Sequence, residues 1–296
     1  MDFNLDETQQ ELRKLAAEVL AKEEEERLWP ALQQAGLVDL CQPGESGAVE
    51  MAVVLREVGA AAANVPLLAH LAGTLALAEH GRAVDGRVGV AVRGKVRAHS
   101  GLTGRMRTVT PAETYVVAAD DGLYLVTEPV TEIAEFTSTG EPAATLVFDA
   151  TPAERIAGSA DALRTICAAA VAAQASGVLA GALKLTTEYI RTRRQFGRAL
   201  AEFQAVTMQI ADVYIAGRAL DVAMWSGAWS LDPRDLALAG FHVSEAFRAL
   251  YICQHLHGGL GLDVTYPLHR YFAQAKHLAQ VTGGADAQLD LIGATC

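Results

Sequence analysis

Arg193-Arg194-Gln195-Phe196-Gly197, followed by Phe203-Gln204-Ala205-Val206, is the stretch whose reading decides this chain. It joins two long helical patterns and packs two arginines, an amide and an aromatic ring into one tight turn. Two forked guanidinium groups suit a diphosphate, because their N–H donors match phosphate oxygens bidentately. A flanking Phe suits the flat face of a nucleotide base. The same residues also fit a plain helix end: Arg191, Arg193, Arg194 and Arg198 sit where cations favour a helix C-terminus, and Gly197 stops the helix. Spacing alone leaves both readings open.

The segments on either side are helical. One helix runs from about Ser159 to Arg191, and a second from Ala201 to Trp229, with Gln204, Met208, Ala211, Ile215 and Ala219 on one exposed apolar stripe expected to be interfacial. Asp232-Pro233 breaks the pattern and a third helix follows to about Cys253. The loop Gly258-Gly259-Leu260-Gly261 leads to a last helix around Leu268–Ala279 and a tail. Long helices with short joins make an antiparallel bundle over residues 156–296. Gly177 and Gly181 read as close helix packing.

Further from the turn the period changes. Residues 86–155 carry the alternating runs 88–92, 114–117, 123–126 and 145–148, separated by Gly, Asp and Pro. Asp120-Asp121-Gly122 between two of them signals a hairpin, so the region reads as a small antiparallel β unit. Residues 1–85 read as all-helical: an amphipathic helix over 5–23 with Asp6 and Glu7 at its start, a short one from Trp29-Pro30 to about Gly36, one from a Ser46 N-cap to Ala63, and one from Pro66 to about His80. The fold class is therefore mainly α with a small β domain.

Composition narrows the function. The chain has 296 residues and a formal net charge of −11, which argues against nucleic acid and offers no polybasic membrane anchor. The stretch from Thr165 to Leu183 carries no charge, but it is mostly Ala, Gly, Ser and Thr with Gln174 in the middle, so it reads as a soluble bundle helix and not a membrane span. Cys41, Cys167, Cys253 and Cys296 form no CxxC pair, and no signal peptide opens the chain, which together suggest a reduced, cytoplasmic protein. His255-Leu256-His257 beside Cys253 invites a metal, but no third ligand falls at a known spacing, so no metal site is expected. The glycines after it lack the strand-to-helix context of a Rossmann loop.

The segment Tyr189-Ile190-Arg191-Thr192-Arg193-Arg194-Gln195-Phe196-Gly197, with Phe203-Gln204-Ala205-Val206 and Ala211-Asp212, closely resembles the most recognisable signature of the acyl-CoA dehydrogenase family. His257-Gly258-Gly259-Leu260-Gly261, then Tyr266-Pro267-Leu268 and a helix, resembles its second signature. The likeness is strong over residues 160–290, fair over 1–80 and poor over 86–155. It implies an N-terminal helical domain, a shortened antiparallel β domain and a C-terminal antiparallel four-helix bundle. It also implies FAD, held between the sheet and bundle of one subunit and gripped at its diphosphate and adenine by the neighbour's bundle. On that resemblance Arg193, Gln195 and Phe196 would contact diphosphate and adenine across a subunit interface, Leu200 and Phe203 would line the adenine pocket, and His255, where the family often has Gln, would sit there with Gly258 and Gly259.

Departures from the family pattern carry as much information. The family removes an acyl α-proton with a carboxylate while the β-hydride goes to flavin, so the base must reach the α-carbon. One usual place for it reads Thr282-Gly283-Gly284 here, and the other falls on Cys167 followed by Ala168. A hydroxyl is no base near neutral pH, and a buried thiol is inert. Asp286 is the only nearby carboxylate. The family's Thr-Glu-Pro strand is missing between Arg87 and Gly104, and Thr127-Glu128-Pro129 follows the hairpin, out of order. The chain thus resembles the short, non-catalytic subunit of the α2β2 acyl-CoA dehydrogenases of actinobacterial steroid side-chain degradation. That resemblance implies a full-length dehydrogenase subunit as partner, an acyl-CoA bound mainly by that partner, and an electron-transfer flavoprotein or similar acceptor. No catalytic residue is assigned to the chain itself. The alternatives are a self-sufficient homo-oligomeric dehydrogenase with Asp286 as base, or a flavin-free structural protein of the same fold.

Overall fold

The structure is a computed structural model that describes residues 4–44 and 46–294. Four helices open the chain: α1 (Glu7–Lys22), α2 (Leu28–Gln34), α3 (Ala48–Ala60) and α4 (Leu67–Ala78). Asp6 caps α1 by accepting the Gln9 N–H at 2.8 Å. The cap of α3 is Gly47, not Ser46: Glu50 reaches back to accept the Gly47 N–H at 3.0 Å, so a first-turn acid holds the helix start and no cap side chain does. The Gln9 side chain also donates to Glu50 at 2.9 Å and ties α1 to α3.

The β region holds more strands than the alternating runs revealed. They are β1 (Val88–Ala91), β2 (Gly94–Ala98), β3 (Leu102–Val109), β4 (Thr114–Ala119), β5 (Gly122–Val126), β6 (Thr131–Glu135), β7 (Ala143–Thr151) and β8 (Glu154–Ala157). They form two four-stranded sheets, ordered β1-β4-β5-β8 and β2-β3-β7-β6. The expected hairpin is present, with Ala119 paired to Gly122. One pairing departs from the antiparallel expectation: β1 runs parallel to β4. Residues of β4 and β5 are buried on both faces. Tyr115, Val117, Tyr124 and Val126 meet Val96, Met106, Leu146 and Phe148 of the other sheet, while Val116, Ala118, Leu123 and Leu125 join the helical core. The period-2 geometry of a strand thus serves two cores at once.

A long helix, α5 (Asp161–Thr192), begins the bundle. A two-residue-turn hairpin follows, made of β9 (Arg194–Gln195) and β10 (Arg198–Ala199). Then come α6 (Gln204–Ser230), α7 (Pro233–His257) and α8 (Leu268–Val281). Asp232 caps α7, accepting the N–H groups of Arg234 and Asp235, with Pro233 in the first turn. The tail is a further helix, α9 (Gly284–Ala294), entered through Gly283 and Gly284 at positive φ. Cys41, Cys167 and Cys253 are free and buried, and Cys296 lies outside the described residues. The uncharged stretch of α5 is long and apolar enough to cross a membrane, yet 83% of its most apolar window is buried against the rest of the chain.

The glycines of α5 explain that burial. A Cβ on Gly177 would lie 1.8 Å from the Arg56 carbonyl oxygen, and one on Gly181 would lie 2.4 Å from that of Ala60. In return, a Cβ on Gly59 of α3 would lie 2.1 Å from the Gln174 carbonyl oxygen. The two helices therefore touch backbone to backbone. Beside this contact Arg56 donates to Ser176 at 3.1 Å and to Asp221 of α6 at 3.2 Å. His70 of α4 ties the helices to the sheet, with Val88 N–H donating to Nδ1 at 3.1 Å and Nε2–H donating to the Val38 carbonyl at 3.0 Å.

Two glycine substitutions should move stability in opposite directions. Gly177→Ala forces a methyl into a backbone carbonyl and is expected to cost about 3 kcal/mol, as overpacking does. Gly217→Ala on α6 meets only the Leu179 side chain at 3.6 Å, so the ordinary helical gain of about 0.5–1 kcal/mol applies. Chemical denaturation of the two variants checks both signs.

Candidate functional site

The site begins where α5 ends. Arg193 is its C-cap, extended in conformation, with its N–H donating to the Tyr189 carbonyl at 2.8 Å. Phe196 and Gly197 then take φ +48° and +80°, and Gln195 pairs with Arg198 and Arg194 with Ala199. Two successive positive φ values at the centre of a two-residue loop match the right-handed twist of the flanking strands. The turn is locked further: Arg194 donates to the Gly197 carbonyl at 2.9 Å, Leu200 N–H to the Arg193 carbonyl at 2.9 Å, and Ala199 N–H to Glu202 at 3.0 Å. The arginine-rich stretch is thus a rigid hairpin, not only a helix end.

What the hairpin displays is out of balance. Phe196 is 92% exposed although a non-glycine residue at positive φ is already strained. Its ring meets Phe203 edge-on at 6.4 Å, and the Arg198 guanidinium lies 4.1 Å over the Phe203 ring. Arg193 and Gln195 are exposed, and Arg193 enters no ion pair among the described residues. Leu200 and Phe203 are half-buried at the base of the hairpin. A cation, an amide and an aromatic face are held out together, which suits a phosphate ester with a flat base.

The end of α7, where the second loop begins, docks on α5 just before the hairpin through a ring stack that the sequence reading did not single out. His257, 3% exposed, lies parallel to Tyr189 with ring centroids 4.3 Å apart, and Tyr189 sits one turn before Arg193. The His257 Nδ1–H donates to the Cys253 carbonyl at 2.8 Å, and burial lowers its pKa, so the ring is neutral. His255 is exposed on the other side of α7, so the two imidazoles do not converge, and no metal cluster occurs among the described residues. Gly258 is at φ +63°, and beside Gly258 and Gly259 a Cβ would meet nothing within 4 Å.

The places where a base would act are different in kind. The Thr282 hydroxyl donates to the Ala279 carbonyl at 2.9 Å at the end of α8. Asp286 is exposed on the first turn of α9. Cys167 lines a cavity between the sheets and the bundle, and burial pushes its thiol up to about 12, which leaves no thiolate at neutral pH. That cavity measures about 100 Å³, well below the several hundred Å³ of an ordinary ligand pocket. Glu141 and His277 share its wall, with the Gln274 amide oxygen buried and unpartnered. Burial, reinforced by Glu25, raises the Glu141 carboxyl to about 7. Glu141 escaped sequence reading because its environment is assembled only by tertiary packing. Thr127-Glu128-Pro129 lies exposed between β5 and β6, away from the cavity.

Glu141 should leave a signature in stability against pH. Its carboxyl is raised in the folded chain above its ordinary value, so the folded state holds the proton longer and stability falls as pH rises toward about 7. Glu141→Gln is therefore expected to be more stable than the parent at pH 8, by on the order of 2 kcal/mol after allowance for screening, and to converge with it near pH 4. Thermal melts across that range check the crossover.

A sequence profile described as the acyl-CoA dehydrogenase C-terminal domain matches residues 161–296. Over its whole length the chain is similar to acyl-CoA dehydrogenase FadE28 of Mycobacterium tuberculosis, at 33% identity covering 100% of this chain and 99% of that one. Among solved structures it superposes on a chain of the Tcur3481-Tcur3483 steroid ACAD with a TM-score of 0.90 at 31% identity, covering 97% of each chain. It superposes on one of the ChsE4-ChsE5 complex of Mycobacterium tuberculosis with a TM-score of 0.88 at 30% identity, covering 99% of this chain and 98% of that one. Butyryl-CoA dehydrogenase of Megasphaera elsdenii shares the fold at a TM-score of 0.84 and 21% identity. With the signature hairpin, the docked glycine loop and full-length similarity in agreement, the chain belongs to the acyl-CoA dehydrogenase family.

Proposed function

We propose that this chain is the non-catalytic subunit of an FAD-dependent acyl-CoA dehydrogenase and completes the flavin site of a full-length partner subunit. The observation that carries the reading is the contrast between two ends of one molecule. The hairpin holds Arg193, Gln195 and Phe196 exposed on a hydrogen-bonded turn, whereas the cavity between sheet and bundle is about 100 Å³ with its Cys167 thiol held protonated, and the end of α8 offers the Thr282 hydroxyl, bonded to the Ala279 carbonyl, in place of a carboxylate.

The residues fit the nucleotide end of FAD by chemistry. Arg193 and Gln195 supply donors for a diphosphate, and the Phe196 ring offers a face for adenine. Leu200 and Phe203 give an apolar floor, and His255 and the open backbone at Gly258 and Gly259 lie along the second loop. When bound, FAD supplies the hydride acceptor for α,β-dehydrogenation of an acyl-CoA thioester. The thioester and the base then belong to the partner. The exposed Met208 and Ile215 on α6 suit burial against that subunit in an α2β2 assembly. The similarity to chains of the ChsE4-ChsE5 complex and of a steroid ACAD supports such a partner and a steroid side-chain CoA ester as substrate class. An electron-transfer flavoprotein or similar carrier in the cytoplasm would reoxidise the flavin.

A second reading, a self-sufficient flavoenzyme, is favoured by one feature. An open groove of about 1090 Å³ runs between the sheet edge at Glu135 and Phe136 and the bundle at Tyr251, Gly283 and Gly284. The visible spectrum separates the two. The chain purified alone is expected to be colourless and the chain co-purified with a full-length subunit yellow. A yellow chain that oxidises an acyl-CoA alone supports the second reading, and an absence of flavin in both preparations refutes both. In the complex, Arg193→Ala should weaken flavin retention by about 1.5–3 kcal/mol, the worth of a charge-assisted hydrogen bond. Unchanged flavin content on dialysis would remove Arg193 from the site.

A further inference from the structure

The face of the β2-β3-β7-β6 sheet turned away from the other sheet carries a ladder of cations that the fold does not neutralise, and its Arg93–Arg107 end borders the cavity between sheet and bundle. Lys95 of β2 lies directly opposite Arg105 of β3, and the Arg107 N–H donates to the Arg93 carbonyl at 2.7 Å, which sets those two arginines opposite each other. Arg97 extends the row. All five side chains are exposed, and none enters an ion pair among the described residues. Like charges directly opposed across a sheet repel. The chain is otherwise acidic, with 35 Asp and Glu against 24 Lys and Arg, so carboxylates to quench these cations are abundant. The one that shares their groove, Glu135, accepts instead from the hydroxyls of Thr108 and Thr145.

We infer that this ladder is a docking surface for a carboxylate-bearing face of the full-length dehydrogenase subunit, an inference that rests on the proposed assembly. A partner protein fits better than a small anion for three reasons. The cations are strung along two strands in successive rows about 6.8 Å apart, so a compact anion meets only part of the ladder. Glu135 would repel a polyphosphate lying in the groove of about 970 Å³. The face is also flanked by exposed apolar side chains, Ile133 at 49% and Phe136 at 97%, and arginine mixed with large apolar groups is the composition of a protein interface.

The test uses the co-expressed pair and the full chain alone. In the chain alone, Lys95→Glu converts a repelling pair into an attracting one, so its melting temperature should hold or rise. In the pair, Lys95→Glu with Arg105→Glu should weaken association about tenfold or more at physiological ionic strength, and the parent pair should loosen as salt is raised. A water-soluble carbodiimide should join Lys95 to an Asp or Glu of the full-length subunit, identified by mass spectrometry. A flavin-loaded pair that assembles normally with the double variant, and in which Lys95 forms no such link, overturns the surface while leaving the proposed function intact. Links found solely between copies of this chain, or lost tripolyphosphate binding with assembly unchanged, overturn it as well. A parent pair that never assembles overturns both readings.

Discussion

The contact between α3 and α5 is the constraint on which the molecule depends. Gly59 of one helix and Gly177 and Gly181 of the other put no side chain of their own into the crossing, so each backbone lies against the other's carbonyls. Such an approach aligns α5 with little freedom to slide, because any side chain at those positions would open the crossing. The Arg56–Ser176–Asp221 cluster then fixes the same pair of helices to α6, with Arg218 also donating to Asp221 at 3.0 Å. The Arg56 and Asp221 charges are largely withdrawn from water, and such a network gains most when every member is satisfied. The far end of α5 carries Tyr189 and the capping Arg193, so the placement of the hairpin is inherited from a contact roughly three to four turns away.

This inheritance explains what the sequence disclosed and what it hid. The bundle helices were legible because Pro233, Gly197 and the glycine loop punctuate long apolar patterns. The hairpin was legible through its residue types and through family likeness. The strands β2 and β3 were not. Between Leu102 and Gly104 and again between Met106 and Val109 the register against β7 shifts, and Thr108 takes φ +55°. Each shift resets the alternation of buried and exposed residues, so no constant period survives to be read. Strand β6 is an exposed edge and never had a buried face to advertise. The final helix was masked by Gly283 and Gly284, which look like a terminator and serve instead as an elbow between α8 and α9. Glu141 was invisible for another reason: its unusual proton affinity belongs to the pocket around it and not to its neighbours in sequence.

The two ends of the molecule obey different physics. At the hairpin, groups that would normally seek partners are kept apart from them: guanidinium groups in water, a phenyl ring at strained φ, backbone without side chains at Gly258 and Gly259. Keeping such groups rigid before a ligand arrives reduces the ordering cost at binding. In the cavity the reverse holds. Apolar packing against Cys167 and Val171 has closed the space, the thiol is held protonated, and the remaining carboxyl is pushed toward neutrality. A cavity of that kind stabilises the joint of sheet and bundle but admits no thioester. The same scaffold therefore holds donors and an aromatic face out to solvent at one end and packs the space around Cys167 shut at the other, while the Gly283–Gly284 elbow borders the open groove beside it.

Charge makes the same point from outside. A chain with net charge −11 gains nothing in solubility from concentrating its unpaired arginines, and repulsion between them raises the free energy of the isolated fold. Two such concentrations occur, one on the β9–β10 hairpin and one on the outer sheet face, and they differ in what they demand. The hairpin cations crowd around a single turn beside an aromatic ring, a geometry that a compact anion with a planar group satisfies. The sheet cations lie in extended rows beside exposed Ile133 and Phe136, a geometry that suits another extended surface. Neither demand is met within the chain. In the proposed assembly the nucleotide would relieve one and an acidic neighbour the other, so each concentration of charge has its own complement.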